Sequence, residues 1–293
     1  MTEPAGDTFK GKTALIYGGA KGIGRAVALE FAARGAAVAV ADIDLDEARE
    51  TAALVEASGI ASAAIRCDVT CEASVRATAV MAEGALGEID IVMNNVGGIL
   101  HGNVEDIPIS EWQRIWDLNL MPVVRSNAVF IPKMLARGSG FIVNTASFAG
   151  LYPFGITRMP YVAAKAAVVA LSESMALRFE PQGIRVSCLC PGPVMTSVLE
   201  GVKSWSNGVE MTGPGRNLEI KTVDDVARTL ADGMERGRII IPTHEDVWET
   251  LQEHWTDPDA FIRAKIATFA SGDHGRPQLN PKQIAALAAA KGD

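Results

Sequence analysis

The chain has 293 residues, 48% of them hydrophobic and 28 of them glycine, which allows a sizeable core with many tight turns. A formal net charge of −8 argues against a surface built for nucleic acid or an anionic membrane. The opening MTEPAGDTFKGK has no apolar signal-peptide core, and the longest apolar helical run, near residues 162–171, is interrupted by Lys165 and too short to span a bilayer. A cytoplasmic protein is expected, with no nucleic-acid and no membrane partner.

Residues 13–17 (TALIY) predict a short buried strand, followed by GGAKGIG and the helical RAVALEFAARG. Gly18, Gly22 and Gly24 allow a tight turn and close approach to a pyrophosphate, whose charge the following helix N-terminus favours. The next strand, AAVAVADID, places Asp42 18 residues beyond Gly24, where an acid meets the ribose hydroxyls of a dinucleotide and repels a 2′-phosphate. Lys21 points the other way, since a cation in the turn can hold a 2′-phosphate, but it is flexible and free to swing into solvent. NAD is therefore favoured over NADP.

The alternation continues through a helix over 45–59, a strand ending at Asp68, a helix over 72–86 and the strand EIDIVMNNVGG. Residues 110–137 read as one long helix, started by Ser110 and Glu111 and bent or broken by Pro122 or Pro132. Then come FIVNTAS, a helix over 158–180 and the apolar strand IRVSCLCPG. Strands alternating with helices of this length imply βαβ crossovers and a parallel sheet covered on both faces. Residues 194–217 form a long segment rich in Gly, Ser and Asn that also carries Trp205, and are expected to be a lid over an apolar substrate. Thr222 and Asp225 cap the next helix, RIIIPT is a last strand, and two further helices and an Ala-rich tail follow. The expected fold is α/β: a single Rossmann-like, doubly wound parallel sheet flanked by helices, with a C-terminal helical extension. One catalytic domain spans 1–293, with its core at about 10–242, the lid at 194–217, the extension at 245–272 and the tail at 273–293.

No metal is expected. Cys67, Cys71, Cys188 and Cys190 form no CxxC, and His244-Glu245 does not continue as a zinc-protease helix. The cysteines read as buried structural thiols of a reducing compartment, Cys188 and Cys190 sharing one strand face. What stands out instead is Ser147 at the end of FIVNTAS with Tyr161 and Lys165 four apart on one helix face, a hydroxyl, a phenol and an ammonium together.

These residues resemble the short-chain dehydrogenase/reductase family over roughly residues 10–242. The family's T-G-x-x-x-G-x-G stands as Tyr17-Gly18-Gly19-Ala20-Lys21-Gly22-Ile23-Gly24, N-N-A-G as Asn94-Asn95-Val96-Gly97, and P-G-x-V-x-T as Pro191-Gly192-Pro193-Val194-Met195-Thr196. The catalytic Asn, Ser and Y-x-x-x-K stand as Asn119, Ser147, Tyr161 and Lys165. Tyr17 replaces a Thr that ties the turn to its neighbour, so the local hydrogen bonding must differ, and the segment after RIIIPT departs from the family. The resemblance implies that Tyr161 is the general acid/base and that Lys165 holds the phenol's charge and the nicotinamide ribose. It further implies that Ser147 orients the substrate oxygen and Asn119 a water. Bringing a phenol of pKa about 10 near neutrality requires about 4 kcal/mol, which the Lys165 cation helps supply.

The resemblance also implies the cofactor contacts. Gly18, Lys21, Gly22, Ile23 and Gly24 lie at the pyrophosphate turn, Asp42 at the adenine ribose, and Asp68 and Val69 near the adenine. Asn95 and Gly97 lie with Tyr161 and Lys165 on the ribose side, and Pro191, Gly192, Val194 and Thr196 near the carboxamide. Ile99, Tyr152, Met159 and Trp205 are the expected substrate pocket, Tyr152 being equally readable as core. The expected activity is an NAD(H)-dependent interconversion of a secondary alcohol and a ketone, on a bulky hydrophobic or aromatic substrate. The alternatives are an NADP(H)-preferring carbonyl reductase and a non-catalytic dinucleotide-binding module. A homo-oligomer, dimer or tetramer, is expected from the family and from the apolar helices over 110–137 and 158–180.

Overall fold

A computed structural model describes residues 8–196 and 202–277. Seven strands form one parallel sheet: β1 (Thr13–Tyr17), β2 (Ala37–Asp42), β3 (Ser62–Arg66), β4 (Ile91–Asn94), β5 (Gly140–Thr145), β6 (Ile184–Cys190) and β7 (Ile240–Pro242). Their order is β3-β2-β1-β4-β5-β6-β7, so the winding reverses between β1 and β4. The crevice beyond the carboxyl ends of these two strands is where a doubly wound sheet receives a ligand. This is the Rossmann-like architecture the alternating pattern called for.

The strands are near-continuous apolar runs because helices cover both faces. On one face α1 (Gly22–Ala33) and α7 (Val223–Glu235) pack together over Ile16, Val38, Val40 and Met93. On the other, α3 (Glu72–Leu86), α5 (Met121–Arg137) and α6 (Met159–Phe179) cover Leu15, Val92, Ile142 and Val186. Helix α2 (Leu45–Ala57) flanks β2 and β3. Beyond the sheet, α8 (Val247–Thr256) and α9 (Pro258–Ala270) insert Val247, Leu251 and Phe261 into an aromatic cluster with Phe148, Tyr152 and Phe154. Thr222 caps α7 in a reciprocal box with Asp225.

Three expectations are corrected. The stretch 110–137 is two helices, α4 (Ile109–Asn119) and α5, broken at Leu120. Pro122 lies in the first turn of α5, where its missing N–H costs nothing, and Pro132 sits inside α5 without ending it. Ser110 does not cap α4: the helix begins at Ile109 after Pro108 and has no side-chain cap. Among the cysteines, Cys71 is exposed, whereas Cys67, Cys188 and Cys190 are buried. The expected lid lies partly outside the described residues, at 197–201, as does the tail from 278. Among the described residues no helix is long and apolar enough to cross a membrane, and no cluster of His, Cys, Asp and Glu could hold a metal ion.

Candidate active site

The glycine turn after β1 is shaped for close approach. Gly18 and Gly22 take positive φ of 75° and 56°, a region open to glycine at little cost. Gly24 is required by space: a Cβ there would lie 1.9 Å from the Gly18 carbonyl oxygen and 2.9 Å from Asn95 Nδ2. At Gly22 a Cβ would meet nothing within 4 Å, so the N-terminus of α1 faces open space. That N-terminus has neither a side-chain cap nor an acid in its first turn, leaving its N–H groups, Ile23 included, available to an anion.

Two side chains fix the turn. Asn95, just beyond β4, donates from Nδ2 to the Gly18 carbonyl at 3.0 Å and accepts from the Thr145 hydroxyl at 3.1 Å. Asp42 accepts from the Ala20 N–H at 3.1 Å through Oδ2 and from the Asp44 N–H at 3.3 Å through Oδ1. Tyr17, in place of the usual Thr, turns away from the site and buries its ring towards α3, where its hydroxyl donates to the Val75 carbonyl. The turn is therefore tied to its neighbours by Asn95 and Asp42.

Lys21 has an exposed side chain whose Nζ lies 3.4 Å from Glu47 of α2. Asp68 is half-buried, its carboxylate held below the usual range by hydrogen bonds from the Thr70 hydroxyl and N–H, and Val69 beside it is buried. Past β6, Phe148 donates its N–H to the Pro191 carbonyl, and Gly192 donates to the Thr243 hydroxyl at 2.8 Å. A Cβ on Gly192 would collide with Phe148 and His244. Val194 pairs with Lys221 in a short parallel bridge, and Thr196 ends this described stretch.

The hydroxyl, phenol and ammonium meet where β5 feeds α6. Ser147 caps a short 3-10 turn (Phe148–Gly150), accepting from the Ala149 N–H at 3.2 Å. That turn lies flat on α6 because Gly150 has no Cβ; one would fall 2.6 Å from the Lys165 carbonyl carbon and oxygen. Lys165 is 3% exposed and donates from Nζ to the Thr145 carbonyl at 2.8 Å, with Nζ 5.7 Å from the Tyr161 ring centroid. Burial pulls its pKa down to about 8. Burial also pushes the Tyr161 phenol up, against the hydrogen bond with Ser147 and the charge of Arg158, which both pull it down. In the chain alone the pair is thus a neutral phenol beside an ammonium close to releasing its proton.

Asn119 is the last residue of α4. Its Nδ2 donates to the carbonyls of Gly98 and Ile115, both at 2.9 Å, and its Oδ1 accepts from the Gly98 N–H at 3.2 Å. Both amide hydrogens are used in locking the strand-end loop to the broken helix. Gly97 sits between Asn119 and Lys165: a Cβ there would lie 2.8 Å from Oδ1 of the one and 3.2 Å from Nζ of the other.

Of the expected pocket residues, Trp205 packs against the cluster of Leu100, Ile107 and Ile115, as Tyr161 and Trp112 do. Ile99 is half-buried on the adjoining loop, and Met159 is 38% exposed at the start of α6. Tyr152 is 3% exposed, its ring within the aromatic cluster and its hydroxyl on the Pro214 carbonyl, which is a packing position. Two residues that motif reading passed over belong beside the site. One is Gly150, whose signal is only its place three residues after Ser147. The other is Arg158, buried three residues before Tyr161.

Residues 12–207 match the family described as "short chain dehydrogenase". The chain is similar to the cyclohexanol dehydrogenase of Acinetobacter sp. strain SE19, 35% identical over 201 residues, or 68% of this chain and 79% of that one. It is similar also to the 7alpha-hydroxysteroid dehydrogenase of Escherichia coli K12, 34% identical over 194 residues, 66% of this chain and 74% of that one. Among solved structures, a short chain dehydrogenase/reductase from Burkholderia phymatum in complex with NAD superposes with a TM-score of 0.75 at 28% identity, covering 86% of this chain and 95% of that one.

Proposed function

Because the chain belongs to the short-chain dehydrogenase/reductase family, we propose that it is an NAD(H)-dependent oxidoreductase interconverting a secondary alcohol and a ketone on a bulky hydrophobic substrate. The observation that carries the chemistry is Lys165, an ammonium 3% exposed with no carboxylate partner among the described residues, one helical turn from Tyr161. A buried unpaired cation costs stability, and the phenolate is the charge it can serve.

The residues present suit a dinucleotide. The glycine turn leaves room above the N-terminus of α1, Asp42 stands at the end of β2 bonded to that turn and would hold the ribose, and Gly97 keeps the space before Lys165 clear. When bound, the nicotinamide group supplies or accepts the hydride. The remaining work falls to the chain. Ser147 donates to the substrate oxygen and fixes it for transfer. In ketone reduction the Tyr161 hydroxyl gives its proton to that oxygen, and in alcohol oxidation it takes the proton back. Lys165 stabilises the phenolate left behind and the Thr145 carbonyl aims it. Reprotonation of the phenol runs past Lys165 towards Asn119, whose Oδ1 keeps a lone pair beside Gly97.

Preference for NAD rests on Asp42 and on Lys21, whose charge Glu47 already counters. Comparing kcat/KM for NADH and NADPH on one ketone tests it; a preference for NADPH overturns the Asp42 argument. The apolar setting of Tyr161, against the Leu100, Ile107 and Ile115 cluster on which Trp112 and Trp205 also pack, supports a hydrophobic substrate, and the related cyclohexanol and hydroxysteroid dehydrogenases are in keeping. A homo-oligomer is supported by the exposed Ile109, Trp116 and Val124 on α4 and α5 and Leu177 on α6; a monomer by sedimentation contradicts it.

A further inference from the structure

Arg158 is the N-cap residue of α6, three positions before Tyr161. It is 8% exposed, and its guanidinium carbon stands 5.2 Å over the Phe154 ring. Its Nε is sealed from solvent without an acceptor, and among the described residues its side chain makes neither a hydrogen bond nor an ion pair. Buried charges are normally paired, because an isolated one forfeits its hydration for nothing. Arg34, by contrast, though half-buried, engages Glu30, Asp232 and Glu235.

Three neighbours share the condition. Thr157 Oγ1, Trp205 Nε1 and His101 Nε2 are likewise buried without partners. The segments that carry them are stitched side by side, Gly102 donating to the Thr157 carbonyl at 2.9 Å and Trp205 donating its N–H to the His101 carbonyl at 2.8 Å. Trp205 and Tyr161 both pack against the cluster of Leu100, Ile107 and Ile115, and the Arg158 charge acts on the Tyr161 phenol. An arginine and an indole N–H can only donate and the Thr157 hydroxyl can donate as well, so a group with acceptors alone satisfies all three.

We propose that Arg158, with Trp205 and Thr157, binds an anionic group of the substrate, a carboxylate or sulfonate carried on its hydrophobic body away from the reacting oxygen. The inference rests on the oxidoreductase reading of the Tyr161 site and names its substrate class further: an amphipathic hydroxy or keto acid rather than a neutral alcohol. The guanidinium fork suits such a group, and the dry surroundings strengthen the contact. The position exchanges stability for binding, as functional sites do.

The test compares two ketones of one shape, 4-acetylbenzoate and 4-acetylbenzamide, in binding to the NADH complex by calorimetry and in kcat/KM. The wild-type protein is expected to favour the carboxylate roughly 10- to 100-fold. Arg158→Gln is expected to cut that preference to within about threefold, the change appearing in KM rather than kcat, and Arg158→Lys to keep part of it. Thermal unfolding separates a structural role: Arg158→Gln should melt no lower than wild type, since it removes an unpaired buried charge. Equal binding of the two ketones by the wild type, a preference that survives Arg158→Gln, or a fall of about 5 °C or more in the variant's Tm each overturns the proposal. Absence of turnover on both ketones counts against the oxidoreductase reading alone, and calorimetry then still decides for or against the anion site.

Discussion

Replacing Lys165 by Met removes the central cation of the site, and its effect on stability can be worked from burial. The ammonium is 3% exposed and its pKa falls from 10.5 to about 8. A depression of about 2.5 at 1.36 kcal/mol per unit makes the folded ammonium cost on the order of 3 kcal/mol at neutral pH. Met gives up the hydrogen bond to the Thr145 carbonyl, about 1–2 kcal/mol. The variant should therefore be more stable than wild type at pH 7 by about 1–2 kcal/mol, or roughly 2–6 °C in Tm, while losing ketone reduction. The sign with pH is definite. The folded pKa lies below the unfolded one, so the cost is fully present below about pH 8 and disappears as pH rises towards 10.5. Wild-type stability should gain on the variant across that window. Urea unfolding of both proteins without cofactor at pH 7 and pH 10 measures it. A Met variant less stable at pH 7, or a difference unchanged between the two pH values, refutes the reasoning.

Gly24→Ala should abolish NADH binding and lower stability by several kcal/mol, because its Cβ would lie 1.9 Å from the Gly18 carbonyl oxygen; fluorescence titration with NADH checks this, and wild-type binding contradicts it. In free-enzyme terms, kcat/KM for ketone reduction should fall as pH passes about 8 and Lys165 loses its proton. A profile flat to pH 10 removes Lys165 from the acid's support.

The strand and helix sequence was legible because buried parallel strands read as unbroken apolar runs while glycine, Asp and Asn mark their ends. The candidate catalytic group was legible for a related reason: Tyr161 and Lys165 share one helix, so their separation in sequence sets their separation in space. What stayed hidden depends on tertiary contact. The break that the prolines suggested falls at Leu120, two residues before Pro122, while Pro132 lies inside an unbroken helix and Asn119 at the break turns its amide onto Gly98 and Ile115. Arg158 reads as an ordinary surface cation until its burial is seen, and Gly150 as an ordinary glycine until the α6 backbone lies against it. Tyr152 could be read as wall or core, and its 3% exposure places it in the core. At Cys71 the apolar reading failed because position alone, before a helix start, leaves a thiol facing water.

The most direct measurement is turnover by Tyr161→Phe, with NADH oxidation by a hydrophobic aryl ketone followed at the nicotinamide absorbance and NADH affinity measured alongside. Removing the one hydroxyl that carries the proton should lower kcat by about 10²–10⁴-fold while NADH binding stays within about threefold of wild type. Turnover within tenfold of wild type contradicts the account, since some other group would then be moving the proton.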